Sequence, residues 1–492
     1  LETTLLRAAT LIPGGGAPAE CPGRVLVQGD KIVATGAAAE GPATTVVDLS
    51  ATVLLPGFVN AHQHGRGLSQ ALLGYRDDRL EAWGNRRRKR GAPDPFPLVR
   101  LAALRMLANG VTACLHANWS YGGDQEAELE ATLRGYDAAG IRAAVMLGVA
   151  DRGALAYPGA LDEDSFIAGL DPPLRALAGT LRTHPFPGDA ATAVAMFDRL
   201  ARRWHGHPRL TLGFGPAGPQ WVSDALFADI ATAARARAVP LHFHLLESPA
   251  QARACAALYP EGTARRLAVL GALGPMSSAA HGVFLSADDM RVLAETGTSL
   301  VANPGSNLRL GCGAADYAAM RAAGMRLALG GDDCELQDDR DPWAELRLFA
   351  TLAGSGAIAS PPSPLAAERL DAVTEAGARA LGLTGRIGRV APGFAADLVA
   401  LDPGPALSPW CDPDAPLLDV LMARATGRDV RMTMVGGRIL YRDGVFPHLD
   451  LRDAEAEAVR AATAARWHPT RDPAHVEALG RTLLAAYDHG QP

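Results

Sequence analysis

The sequence predicts an α/β chain: a (β/α)8 TIM barrel carrying a small split β-sandwich domain built from both chain ends. Three observations predict it. The 492 residues exceed an ordinary domain of about 150, whereas a barrel can use about 250 or more as one unit. The central stretch alternates apolar strand-like runs with Ala/Leu-rich helical ones, the pattern of a parallel sheet flanked by helices. The two ends share a different texture, of short strands and turns.

In chain order, residues 24–28, 31–34 and 45–49 are β-rich runs separated by glycine-containing turns. Eight barrel strands are expected at 57–62, 111–116, 141–147, 210–214, 240–245, 277–283, 298–303 and 325–330. Strand texture returns at 397–401, 430–435 and 438–441, with Gly436-Gly437 as a hairpin turn. These end segments are each too small for a core. Residues 1–57 and 388–449 are therefore expected to form one composite β-sandwich domain, 58–387 the barrel, and 450–492 a helical tail packed outside.

Composition narrows the class. Hydrophobic residues at 48% and charged residues at 20% fit a globular enzyme and exclude a disordered or collagen-like chain. A net charge of −6 gives no pull toward nucleic acid or anionic membrane. No apolar run approaches the about 18 residues that span a bilayer, and no basic-then-apolar leader opens the chain. Six scattered cysteines with no Cys-x-x-Cys point to reduced thiols and a cytoplasmic location. The expected partners are a small-molecule substrate and a second copy of the chain, as a homodimer.

The chemistry sits at strand ends. His62 and His64 close the first barrel strand; with a side-chain period of two they share a face, which makes half of a metal site. Alone, the pair also fits a hydrogen-bonded strand end. His242-Phe243-His244-Leu245-Leu246-Glu247 closes the fifth strand. There His244 is the candidate third ligand, deeper His242 its support, and Glu247 a proton carrier. His281 lies in the sixth strand, and Asp332 ends the eighth. Barrels gather catalytic groups from such distant strand ends.

Leu55-Pro56-Gly57-Phe58-Val59-Asn60-Ala61-His62-Gln63-His64, His244-x-x-Glu247, His281, Asn303-Pro304-x-Ser306-Asn307-Leu308 and Leu329-Gly330-x-Asp332 together resemble the amidohydrolase superfamily. The likeness is to the branch with cytosine and guanine deaminases, S-adenosylhomocysteine deaminases and triazine hydrolases. Gly388-x-x-x-Pro392-Gly393-x-x-Ala396-Asp397-Leu398-Val399 is similar to the family's closing β-segment, so the likeness runs from about residue 4 to about 445. It implies a metal held by His62, His64, His244 and Asp332, with Glu247, His281 and Asp332 as catalytic groups acting on the attacking water and the departing amine. Two-metal relatives bridge their ions with a lysine from the fourth strand. Here lysine occurs only at Lys31 and Lys89, so one divalent ion is expected, zinc or iron. The reaction implied is release of ammonia from an amino-substituted nitrogen heterocycle such as a purine, pterin, pyrimidine or triazine. The alternatives are hydrolysis of a cyclic amide or of a halogenated or alkylamino ring, and a non-catalytic scaffold.

One departure stands out. Many relatives carry a substrate-contacting histidine in a Pro-His motif after strand four, where this chain has Pro216-Ala217. Ring recognition is then expected from Arg66, His116 and Trp119. Asp333, Cys334 and Glu335 are expected at the pocket rim, and Arg86-Arg87-Arg88-Lys89-Arg90 reads either as a solvated loop or subunit contact or as a charge that steers an anionic substrate.

Overall fold

The structure is a computed structural model that describes residues 2–354 and 364–489. Leu1, residues 355–363 and residues 490–492, all within the expected domains, lie outside the described residues. The N-terminal segment forms β1 (Thr3–Leu11), β2 (Gly23–Gln28), β3 (Lys31–Thr35) and β4 (Thr45–Pro56). The barrel strands are β5 (Phe58–Gln63), β6 (Val111–Ala117), β7 (Arg142–Val149), β8 (Leu210–Pro216), β9 (Leu241–Leu245), β10 (Ser277–His281), β11 (Ser299–Ala302) and β12 (Arg326–Leu329). The chain then returns to the first sheet with β13 (Leu398–Leu401), β14 (Val430–Val435) and β15 (Arg438–Arg442).

β5 to β12 lie side by side in sequence order as one parallel sheet. Buried at nearly every position, they show the continuous apolar character of strands covered on both faces. All eight expected barrel strands are present. The sheet closes where the sequence turns functional: Gly331 and Asp332 N–H both donate to the His62 carbonyl, at 3.1 and 2.9 Å, and Gly331 N–H also reaches Asn60 Oδ1. The barrel interior holds small and medium side chains, among them Val59, Ala61, Ala113, Leu115, Ala144, Met146, Val301 and Ala328. The helix Glu375–Ala380 packs Ala376 and Ala380 against this interior cluster. Helices of the outer layer start on side-chain caps such as Asp124, which accepts from Ala127 N–H. That helix ends on Gly140 at φ +82°, a left-handed cap that glycine adopts without a Cβ penalty.

The strands of the two chain ends form one seven-stranded mixed sheet, ordered β15-β14-β13-β4-β1-β2-β3. β1 was absent from the sequence expectation. Its register with β4 shifts between Ala8 and Thr10, and this irregularity blurs the period-two pattern by which a strand is read. β4 likewise runs on to Pro56, through the polar Ser50-Ala51-Thr52. Arg142 of β7 ties barrel to sheet through two hydrogen bonds to Asp397, at 2.8 and 3.0 Å, both side chains buried.

The tail forms two helices, Leu451–Ala464 and Pro473–His489. They dock on the segment after β5 through Arg79–Asp488, Arg86–Glu477 and Lys89–Glu477 pairs, and on the helix Pro95–Ala108 through Arg100–Glu457. Among the described residues no helix is long and apolar enough to cross a membrane.

Candidate functional site

His62, His64, His244, His281, Glu247 and Asp332 converge at the C-terminal ends of the barrel strands, all buried. Parallel pairing sets Ala280 beside His244 and His281 beside Leu245. Donor atoms of His62, His244 and His281, of His62, His64 and Asp332, and of Glu247, His281 and Asp332 each lie within 4.8 Å of one another. His64 Nε2 is 3.1 Å and His62 Nε2 3.5 Å from Asp332 Oδ1.

The outer hydrogen bonds decide which ring nitrogens are free. A carbonyl oxygen can only accept, so His64 Nδ1 donates to the Ala117 carbonyl (2.6 Å) and His244 Nδ1 to the Ala217 carbonyl (2.8 Å). The same logic runs through a longer relay. The Ala380 carbonyl receives the Ser278 hydroxyl (3.2 Å), leaving Ser278 Oγ to accept His242 Nδ1–H (2.7 Å). His242 Nε2 then accepts His62 Nδ1–H, at 2.8 Å. His281 Nδ1 donates to Asn307 Oδ1, at 2.8 Å. Each of the four imidazoles thus turns an Nε2 lone pair toward the others. His62 Nε2 and His281 Nε2 are buried and have no hydrogen-bond partner. A convergence of lone pairs around a carboxylate repels itself and fits a cation. His242 stands behind His62 and is not part of the donor set.

The electrostatics agree at His62 and His244 and differ at His64. Burial pushes His62 down to about 4 and, with the neighbouring imidazoles, His244 far below the usual histidine range. Burial also opposes charge on His64, but Asp333 and Asp332 outweigh it and raise its pKa. Burial would raise Asp332, yet the adjoining His62 and His64 rings hold it well below the carboxylate range; Ser306 Oγ donates to its other oxygen at 2.6 Å. Burial lifts Glu247 to about 7, against the pull of His281. Gln251 donates to it from 3.3 Å, and its Oε1 lies 3.8 Å from His281 Nδ1. A carboxylic group near neutrality both takes and gives a proton.

A cavity of about 700 Å³ opens from this cluster, bounded by the loop after β5, by Trp119 and Trp221, and by the tail. Trp119 meets His244 edge-on at 5.9 Å and Trp221 at 5.2 Å. Arg66 lies over Tyr121 at 4.2 Å and 3.4 Å from Asp333. His116 is placed differently from the expectation: it does not line the cavity. It sits under the turn at Gly65, where its Nδ1 pairs with the Tyr136 hydroxyl at 2.8 Å, and burial takes its pKa down to about 3. Asp333 and Glu335 are not solvated rim acids; Asp333 pairs with Arg66 and Arg87, and Glu335 with Arg340 at 2.8 Å, all in buried or half-buried surroundings. Burial raises the Cys334 thiol beyond its ordinary range. Sequence reasoning gave no role to Ser278, Gln251, Ser306 or Asn307. The last two lie in the quoted Asn303–Leu308 loop, so a signal for them was present.

The family model for the amidohydrolase family matches residues 53–440. The chain belongs to the amidohydrolase family. Among curated family relatives, the 5-methylthioadenosine/S-adenosylhomocysteine deaminase of Nitratidesulfovibrio vulgaris strain Miyazaki F is 32% identical over 445 residues, 88% of this chain and 89% of that protein. The 5′-deoxyadenosine deaminase of Methanosarcina mazei is 29% identical over 449 residues, 89% of this chain and 93% of that protein. Among solved structures, an adenosine deaminase from Xanthomonas campestris with bound zinc superposes with a TM-score of 0.75 at 24% identity, covering 94% of this chain and 98% of that one. At that identity the likeness is one of fold.

Proposed function

We propose that this family member is a metal-dependent aminohydrolase that releases ammonia from the amino-substituted heterocycle of a nucleoside-like substrate. The observation that carries it is the buried set of inward lone pairs around Asp332, with Glu247 beside it near neutrality. The names of the relatives, which match most of the chain, support the same reading.

His62, His64, His244 and Asp332 would hold one divalent ion, with zinc preferred to iron for a set rich in imidazole. When bound, such an ion makes a water acidic enough to ionise near pH 7. Glu247 takes a proton from the attacking water and returns it to the ring nitrogen beside the attacked carbon. His281 Nε2 orients the water, and Asp332 passes a proton to the departing amine. Trp119 offers a flat face to the ring and Arg66 a polar contact, which leaves Ala217 to act through its carbonyl alone. His116, behind Gly65, acts as a positioning residue. A cytoplasmic homodimer is part of this proposal.

The test is ammonia release by zinc-loaded protein from adenosine, 5′-deoxyadenosine and 5′-methylthioadenosine. Glu247→Gln should lower kcat by at least about 10²-fold while bound metal stays unchanged. Turnover of chloro- or alkylamino-triazines with no ammonia from any aminopurine would overturn the proposal.

A further inference from the structure

Elsewhere on the wall of the same cavity two arginines stand without acids. Arg88, from the loop after β5, donates one Nη to the Ala154 carbonyl at 2.5 Å, and its other Nη is buried with no partner. Arg471, from the segment between the tail helices, donates to the backbone carbonyl of Arg88 at 3.1 Å. Both side chains line the cavity, and the Arg471 guanidinium lies against the backbone of Arg88. Among the described residues neither forms an ion pair.

The acids that line the cavity are all engaged elsewhere. Glu81 receives the Ser248 hydroxyl, Asp333 holds Arg66 and Arg87, and Glu247 and Asp332 belong to the histidine cluster. Glu163, whose charge reaches Arg88, is paired with Arg182 at 3.0 Å. Arg90, also on the wall, is spent on the carbonyls of Leu73 and Ala462. Burial, reinforced by the Arg471 charge, draws the Arg88 guanidinium down to about 10. A cation with a buried, unpartnered Nη and a second, half-buried cation nearby cost stability, and an anion reaching both would relieve that cost through charge-assisted hydrogen bonds.

We propose that Arg88 and Arg471 form an anion-binding subsite that grips a carboxylate or phosphate on the part of the substrate remote from its reacting ring. This deepens the deaminase reading and rests on it only for which end of the substrate lies where. A cavity of about 700 Å³ is in the range that encloses a whole drug-sized ligand, so a ring at Glu247 and a charged group at Arg88 fit within one molecule. The tail becomes part of the binding site, because it supplies one of the two cations.

The experiment compares an aminopurine nucleoside with its 5′-phosphate and its 5′-carboxylate, on zinc-loaded protein and on Arg471→Met and Arg88→Met. The ratio of kcat/KM for the anionic over the neutral substrate should fall at least about tenfold in each variant, the loss expected for one charge-assisted contact. Whichever anion shows the fall identifies the group. Titration with inorganic phosphate is the readout independent of turnover, and its Kd should weaken by a similar factor in Arg471→Met. That variant loses only a contact to a backbone carbonyl, so it covers the case in which Arg88→Met does not fold. Unchanged ratios for both anions, together with an unchanged phosphate Kd, would overturn the subsite. No ammonia from any of the three substrates, with phosphate binding lost in Arg471→Met, would overturn the deaminase reading and uphold the subsite.

Discussion

The two poles of the cavity are built by different means. The inner pole, with His62, His64, His244, His281 and Asp332, is carried by strands or by the residues just after them. The outer pole, with Arg66, Arg87, Arg88 and Arg471, is carried by loops and the tail. At the inner pole the direction of each side chain follows from the pleat, and backbone carbonyls at 117, 217 and 380 fix which nitrogens face inward. At the outer pole direction comes from contacts between residues hundreds of positions apart, such as Arg87 with Asp333 and Arg86 with Glu477. A strand-borne site is specified locally; a loop-borne site is specified by the finished fold.

If that contrast is right, damage to the inner pole should abolish chemistry and leave the fold, whereas damage to the outer pole should reach the fold first. The largest effect is expected from His244→Ala. Bound metal should drop well below one equivalent, and activity should fall by more than the about 10- to 100-fold that loss of a ligand's outer partner costs. Metal analysis beside ammonia release checks both, and full metal retention would break the contrast at its inner end.

The joint between the poles comes next. Asp333 sits next to Asp332 in sequence yet belongs to the outer pole through Arg66 and Arg87. Asp333→Asn leaves two cations without their shared acid, so a destabilisation of about 3–5 kcal/mol is expected, read by denaturant unfolding of the metal-loaded protein. A variant that unfolds like the parent would show that these arginines find other partners.

The smallest effect is expected at Glu477, which anchors the tail helix to Arg86 and Lys89 at 2.9 and 3.1 Å. The pair is partly exposed, so Glu477→Gln should cost about 1 kcal/mol or less. Burial works against the Glu477 carboxylate, but Arg86 and Lys89 outweigh it and lower its pKa. A depressed acid stabilises the fold above its unfolded pKa and loses that contribution as pH falls through the folded one. Parent and variant should differ in Tm at pH 7 and converge below about pH 4.

The same contrast explains what was legible in the sequence. The barrel and its eight strands were legible because each is a short apolar run followed by a helical one. The convergence of His62, His64, His244 and Asp332 was legible because they stand at strand ends. β1 was hidden by its irregular register with β4. His116 was misjudged because strand position alone does not say whether a side chain faces the cavity or the layer behind it, where Tyr136 waits. The basic run reads in the sequence as a solvated loop, a subunit contact or a steering charge, whereas its arginines are bound one by one to Asp78, Asp333, Ala154 and Ala462. No local pattern announces partners that far away.

The closing seam between β5 and the residues after β12 gives the site a place in time. Asn60 and Gly331, which meet there, are 271 positions apart, so this junction joins the first barrel strand to the residues that follow the last. Contacts of such separation are slow to form because the intervening loop entropy is lost before they bring any gain. The donor cluster straddles this junction, with His62 on one lip and Asp332 on the other. It cannot exist in a chain whose last strand is still undocked. A cation held by that donor set would recognise only the finished ring and, by mass action, would hold it shut. With that cation bound, the cluster would be a latch as well as a workplace, since its donors come together only once the first and last strands have met.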